Sequence, residues 1–186
     1  MNIHKLFPTT VIEYNLTGYP NKSLLLEEIS NLPTYFHGLL DKGLSSFSKH
    51  NAFLEDNKFH SLKNQFQKSI NNYSDYLSLR PNYIFESWFN IMEYNGQTLL
   101  HNHRESIISG AYYPLLEGST CNLLFRTPLH SAVNYNPTDD NENYYKFHEM
   151  KIKEDHLYLF PGWLEHFTKV NEGGKRVCIS FNTKFY

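Results

Sequence analysis

The sequence predicts a mainly β domain, a sandwich, jelly roll or barrel with flanking N-terminal helices, and three observations predict it. After Pro81, short strand-like runs recur at 97–103, 106–115, 120–126, 146–153, 156–161 and 175–185. Turn signals separate them: Glu117-Gly118, Thr127-Pro128, Pro161-Gly162 and Gly173-Gly174. Helical spacing of apolar residues is confined to the first eighty positions. The 186 residues are expected to form one domain, with a strand and supporting helices in 1–80 and a β-barrel core in 81–186.

Along the chain, Asn21-Lys22-Ser23 is placed to cap a short helix through Leu24, Leu25, Leu26, Ile29 and Leu32, stopped by Pro33. The span 33–58 has no clear period and is open between a second helix and an extended loop. From His60 to Leu79, Leu62, Phe66, Ile70, Tyr73 and Leu77 recur at helical steps, a stripe suited to packing on a sheet. Trp88, Asn90 and Met92 then alternate with Phe89, Ile91 and Glu93, a period of two that Tyr94-Asn95-Gly96 is expected to end. Leu129 to Tyr145 is polar, rich in Asn and aperiodic, and reads as a long surface loop or lid.

Composition excludes several classes. With 40% hydrophobic and 16% aromatic residues, the chain can build a core and is not a disordered segment. A net charge of −2 gives no general attraction to nucleic acid or an anionic membrane. No run approaches the roughly 18 apolar residues of a membrane span. Met1 to Tyr14 has no apolar core and carries Lys5, Pro8 and Glu13, so no secretory signal is expected there. Cys121 and Cys178 are too few and too isolated for a disulfide framework, which suits a reducing, cytoplasmic setting.

Among ten histidines, two are separated by a single residue. On a strand, His101 and His103 would share a face with Cα atoms roughly 7 Å apart, and both rings can then reach one ion at about 2.1 Å. Glu105 would join that face if the strand continued, while Asn102 and Arg104 point away. His166 follows the buried run Leu157 to Phe160 and a turn at Pro161-Gly162, on a return strand towards the sheet. Imidazole and carboxylate ligands with open positions are typical of non-haem iron(II). Arg176, after Gly173-Gly174, starts the last strand, where its fork could grip a carboxylate. His4, His37, His50, His60, His130, His148 and His156 read as ordinary surface or core histidines.

These residues resemble the iron(II)/2-oxoglutarate-dependent oxygenases, and more narrowly a small 2OG-Fe(II) oxygenase family of bacteria and their viruses. The likeness rests on Tyr94-Asn95-Gly96 leading to His101-Asn102-His103, on Ser109-Gly110-Ala111-Tyr112-Tyr113, and on Phe160-Pro161-Gly162-Trp163 to His166 followed by Arg176 and Ser180-Phe181-Asn182. Leu6-Phe7-Pro8-Thr9 and Trp88-Phe89-Asn90 fit it too. The resemblance implies a double-stranded β-helix (a jelly-roll, cupin-like barrel) with Fe(II) at its open end, 2-oxoglutarate as co-substrate and O2. It implies that Arg176 holds the far carboxylate. Tyr113 and Asn90 would either add hydrogen bonds to the co-substrate or pack the barrel, and Phe160 and Trp163 would shape the pocket.

Two ligand registers stand open. Counted from Gly96, His101, His103 and His166 are the metal ligands. Read as the superfamily's usual His-x-Glu, Glu105 replaces His101. Two rival functions also remain: a three-histidine dioxygenase that does not use 2-oxoglutarate, and a non-catalytic metal or small-ligand binding protein. The resemblance leaves homodimerisation through the N-terminal helices open, and it names no primary substrate.

Overall fold

The computed structural model describes residues 1, 8–47, 51–128 and 146–186. The chain order is β1 (Ile12–Asn15), α1 (Lys22–Asn31), β2 (Tyr35–Phe36), β3 (Leu40–Ser45), α2 (His60–Tyr76), β4 (Asn82–Thr98), β5 (Ile108–Leu116), β6 (Leu123–Arg126), β7 (Phe147–Met150), β8 (His156–Pro161), β9 (His166–Thr168) and β10 (Arg176–Phe185). A seven-stranded sheet runs β1-β8-β5-β10-β4-β3-β2, and a three-stranded sheet runs β7-β6-β9. All pairings between these strands are antiparallel. The expected loop or lid at 129–145 and residues 2–7 lie outside the described residues.

Side chains alternate across a strand, and here both faces of the large sheet are covered. Leu157 and Leu159 of β8, Tyr112 of β5, and Val177, Ile179 and Phe181 of β10 face the helices, packing with Leu62, Phe66, Ile70 and Tyr73 of α2. Tyr158, Phe160, Ala111, Tyr113 and Cys178 face the other way, towards Leu123 and Phe125 of the small sheet. The two clusters lie on opposite faces of the large sheet, one against the helices and the other between the two sheets of the jelly roll. Gly110 makes the first layer possible: a Cβ there would lie 2.1 Å from the Phe181 ring, its cross-strand partner. That ring instead stacks on Phe66 at 5.1 Å.

α2 matches the expected stripe, and α1 ends beside Pro33 as expected. Two expectations change. Tyr94-Asn95-Gly96 does not end its strand: β4 continues to Thr98, because Asn95 takes a left-handed φ of 62° and Gly96 lets Met92 lie where a Cβ would sit. The run 97–103 is not a separate strand either. Its first two residues finish β4, and beyond them only His101 forms a bridge, to His166. The span 33–58 contributes β2, β3 and two short 3₁₀ turns, Phe53–Glu55 and Asn57–Phe59, with 48–50 outside the described residues.

Candidate metal centre

Residues 99–103 are irregular, yet main-chain hydrogen bonds fix them at every second position. Leu99 N–H donates to Leu39 O at 2.8 Å, His101 and His166 exchange bonds of 3.0 and 2.9 Å, and His103 N–H donates to Gly162 O at 2.8 Å. Gly162 is needed for this last contact. A Cβ there would meet Ser106 O at 2.3 Å and His103 O at 2.8 Å. The turn expected at Pro161-Gly162 therefore also docks the loop that carries His103.

The three rings converge. One ring nitrogen from each of His101, His103 and His166 lies within 4.8 Å of the others, the geometry of a metal-ligand group. His166 is buried on β9, wedged against Phe160 at 4.7 Å between ring centroids. Nδ1 of His101 lies 2.8 Å from Leu99 O, and Nδ1 of His166 lies 2.9 Å from Leu164 O. A carbonyl can only accept, so both rings carry their proton on Nδ1 and keep an Nε2 lone pair free. Glu105 is exposed and is not a member of the group.

Electrostatics keep the group unprotonated. Burial lowers the affinity of His101 for a proton. Burial, and then the neighbouring His101, pulls His103 down to about 4. His166 is held well below the ordinary histidine value by burial and then by the other two rings. Three neutral imidazoles are the form that binds a metal ion.

The rings open into a cavity of about 150 Å3, room for a small molecule rather than a single water. Arg176 lies in its wall, only 2% exposed, at the start of β10. Its Nη1 donates to Cys121 O at 3.2 Å, its guanidinium stands 5.7 Å from the Tyr113 ring centre, and its Nε has no partner. Tyr113, which burial keeps a neutral phenol, and Asn90 line the same cavity. Every expected site residue except Glu105 and Trp163 thus meets in one place; Trp163, expected to shape the pocket, is exposed and does not line the cavity. Arg176 is the one described lining residue with a permanent charge, and no described carboxylate joins it.

Several lining residues carry no sequence signal. His37 and Phe47 come from the aperiodic span. They start a run of ring contacts, His37 to Phe47 at 5.2 Å, Phe47 to Trp88 at 4.9 Å, and Trp88 to His103 at 5.7 Å. Ser109 and Ser180 lie in the segments that carry the family resemblance, and Ser180 has a further clue in the phase of its strand. Arg176, Cys178, Ser180 and Asn182 occupy one phase of β10, while Val177, Ile179 and Phe181 occupy the other.

A family model described as "Putative 2OG-Fe(II) oxygenase" matches residues 86–182. No curated protein matches the chain. Among solved structures, the chain is similar to HygX from Streptomyces hygroscopicus with nickel, 2-oxoglutarate and hygromycin B bound. That likeness has a TM-score of 0.69 at 11% identity and covers 95% of this chain and 83% of that one. The α-ketoglutarate-dependent epimerase SnoN from nogalamycin biosynthesis is similar at a TM-score of 0.65 and 11% identity, over 95% and 79% of the two chains. A prolyl-4-hydroxylase from Pseudomonas putida follows at 0.59 and 11%, over 96% and 94%. At these identities the likeness establishes the jelly-roll fold.

Proposed function

Because the chain belongs to the 2-oxoglutarate–iron(II) oxygenase family, we propose that it is a dioxygenase oxidising an organic substrate at a centre held by His101, His103 and His166. The family's cofactor set is Fe(II), with 2-oxoglutarate as co-substrate and O2. When bound, that set supplies the oxidising power to functionalise a substrate C–H bond, releasing succinate and CO2.

The observation that carries this reading is the unmatched cation beside the three imidazoles. A buried guanidinium with an unpartnered Nε is costly unless an anion meets it. Neutral histidines add no negative charge to balance a divalent ion. A dicarboxylic co-substrate answers both needs, one end at the ion and the far carboxylate on Arg176. Geometry favours the three-histidine register, because His101 belongs to the converging group while Glu105 is exposed and outside it.

The remaining residues orient and exclude. Tyr113, a neutral phenol against Arg176, is placed to donate a hydrogen bond to a carboxylate, and Asn90 faces the cavity across from Cys178. Phe160, Leu123 and Phe167 keep water from the inner wall, while Trp88 and Phe47 form an aromatic wall beside His103.

Anaerobic addition of Fe(II) and 2-oxoglutarate should produce a weak visible charge-transfer band, and aeration should convert 2-oxoglutarate to succinate. Absence of both the band and metal-dependent succinate would overturn the proposal. Iron-dependent O2 consumption without 2-oxoglutarate would instead favour the three-histidine dioxygenase. A tightly held redox-inert metal and no succinate would favour the binding protein.

A further inference from the structure

Asn182 sits at one rung of the large sheet, on the central strand β10, opposite Ser109 of β5 on one side and Glu86 of β4 on the other. It is buried, at 1% exposure. Its Oδ1 accepts from Ser109 Oγ at 2.7 Å, and its Nδ2 donates to Glu86 Oε1 at 2.6 Å. A carboxylate accepts and does not donate, so Glu86 fixes which end of the amide is nitrogen. The second N–H of Nδ2 then faces His103 Nδ1, 3.3 Å away. His103 Nδ1 is thereby an acceptor, whereas Nδ1 of His101 and of His166 donates to a carbonyl.

We propose that the Ser109–Asn182–Glu86 rung sets the tautomer of His103, holding its ring proton on Nε2 in the metal-free protein, opposite to the other two histidines. The proposal rests on the reading of His103 as a metal ligand through Nε2. Two rings are therefore ready for a metal and the third is latched. Metal entry moves the His103 proton from Nε2 to Nδ1 by exchange with solvent, with no net gain or loss. The Asn182 amide then turns over, so that Oδ1 accepts from His103 Nδ1–H and Nδ2 donates to Ser109 Oγ. Turning it breaks the Glu86 bond and sets Oδ1 against the carboxylate, so Glu86 opposes metal binding. Metal-ligating histidines usually donate their second ring proton to an acceptor that strengthens the site. Here that partner is held the wrong way round.

Histidine-15N-labelled, chelator-treated protein tests this directly, because long-range 15N–1H correlations distinguish the two tautomers. The expected result is Nδ1–H for His101 and His166 and Nε2–H for His103, and an Nδ1–H form for His103 in wild type would overturn the proposal. Glu86→Gln frees the amide to turn, since glutamine can donate to the turned Oδ1. It should shift His103 towards Nδ1–H and tighten Co(II) binding, followed by visible absorption, by about tenfold. In that background Asn182→Asp supplies a fixed acceptor and should tighten it further. Unchanged or weaker Co(II) binding in Glu86→Gln, with a folded spectrum, overturns the proposal. If wild type binds no Co(II) at all, the metal-centre reading fails instead, and the tautomer measurement still decides this one.

Discussion

His101 and His166 exchange both backbone hydrogen bonds, at 3.0 and 2.9 Å, and their rings stand 4.3 Å apart. The main chain thus brings together two candidate ligands from distant segments. A site built this way is largely pre-organised, so the entropy of ordering the ligands is lost during folding and not again on metal entry.

That pre-organisation predicts which substitutions abolish metal binding. His101→Ala and His166→Ala should each lower Co(II) affinity at least about 100-fold, since each removes a direct ligand. Glu105→Ala should stay within about twofold of wild type, as expected of an exposed side chain outside the group. Absorption titration of the three variants checks this, and metal loss in Glu105→Ala alone would restore the His-x-Glu register.

Arg176→Ala should retain metal but raise the KM for 2-oxoglutarate by about 100-fold or more, the scale expected when a buried charge loses its partner. Arg176→Lys should fall between, because an ammonium keeps the charge and loses the fork. Succinate formation against 2-oxoglutarate concentration, with metal content measured in parallel, separates co-substrate binding from metal loss.

Acid should destabilise the metal-free protein well before carboxylates titrate. The three histidines are depressed in the folded state, His103 to about 4, while the unfolded chain takes up protons near the ordinary histidine value of about 6.5. Between those values the unfolded state binds more protons, so stability falls as pH falls. Each histidine held neutral contributes a slope of up to roughly 1.4 kcal/mol per pH unit. Their contribution is fully present above about pH 6.5. Urea denaturation of chelator-treated protein at about pH 7 and about pH 5 measures it, and equal stability at the two would refute the assignment.

Two glycine substitutions should separate folding from chemistry. Gly110→Ala forces a methyl into the Phe181 ring on the helix side of the sheet, and should cost about 1–3 kcal/mol without weakening metal binding in the protein that folds. Gly162→Ala collides with main-chain oxygens of Ser106 and His103, so it should weaken both stability and metal affinity. Thermal denaturation and Co(II) titration, run on each, give the comparison.

Much of this was legible in the residues. α2 and β10 followed from period, because each has one clearly apolar face against a core, and β8 followed from an unbroken apolar run that is buried on both faces. The convergence of His101, His103, His166 and Arg176 on one cavity was legible because their chemical types are few and their spacing unusual. What escaped depended on contacts between distant segments. β4 runs through Asn95-Gly96 because Asn171, fully buried, exchanges main-chain bonds with Asn95 and Gly96 and ties Glu93 and Gly174 by its amide. A local turn signal was overruled by a partner far along the chain. Residues 33–58 gave no period because β3 is a short strand whose buried positions are Leu40, Gly43 and Ser45, which carry little apolar signal. The His101–His103 segment looked like a strand and instead converges as a loop pinned by Leu39, His166 and Gly162.

The two phases of β10 have a consequence for how such a protein can diversify. Val177, Ile179 and Phe181 are committed to the helix layer, whereas Cys178 and Ser180 border the cavity and support little of that layer. Of the second face, Arg176 and Asn182 are tied to the cavity's polar groups and Cys178 packs against the small sheet, so Ser180 is the position where a new letter can reshape the cavity while the first face stays fixed.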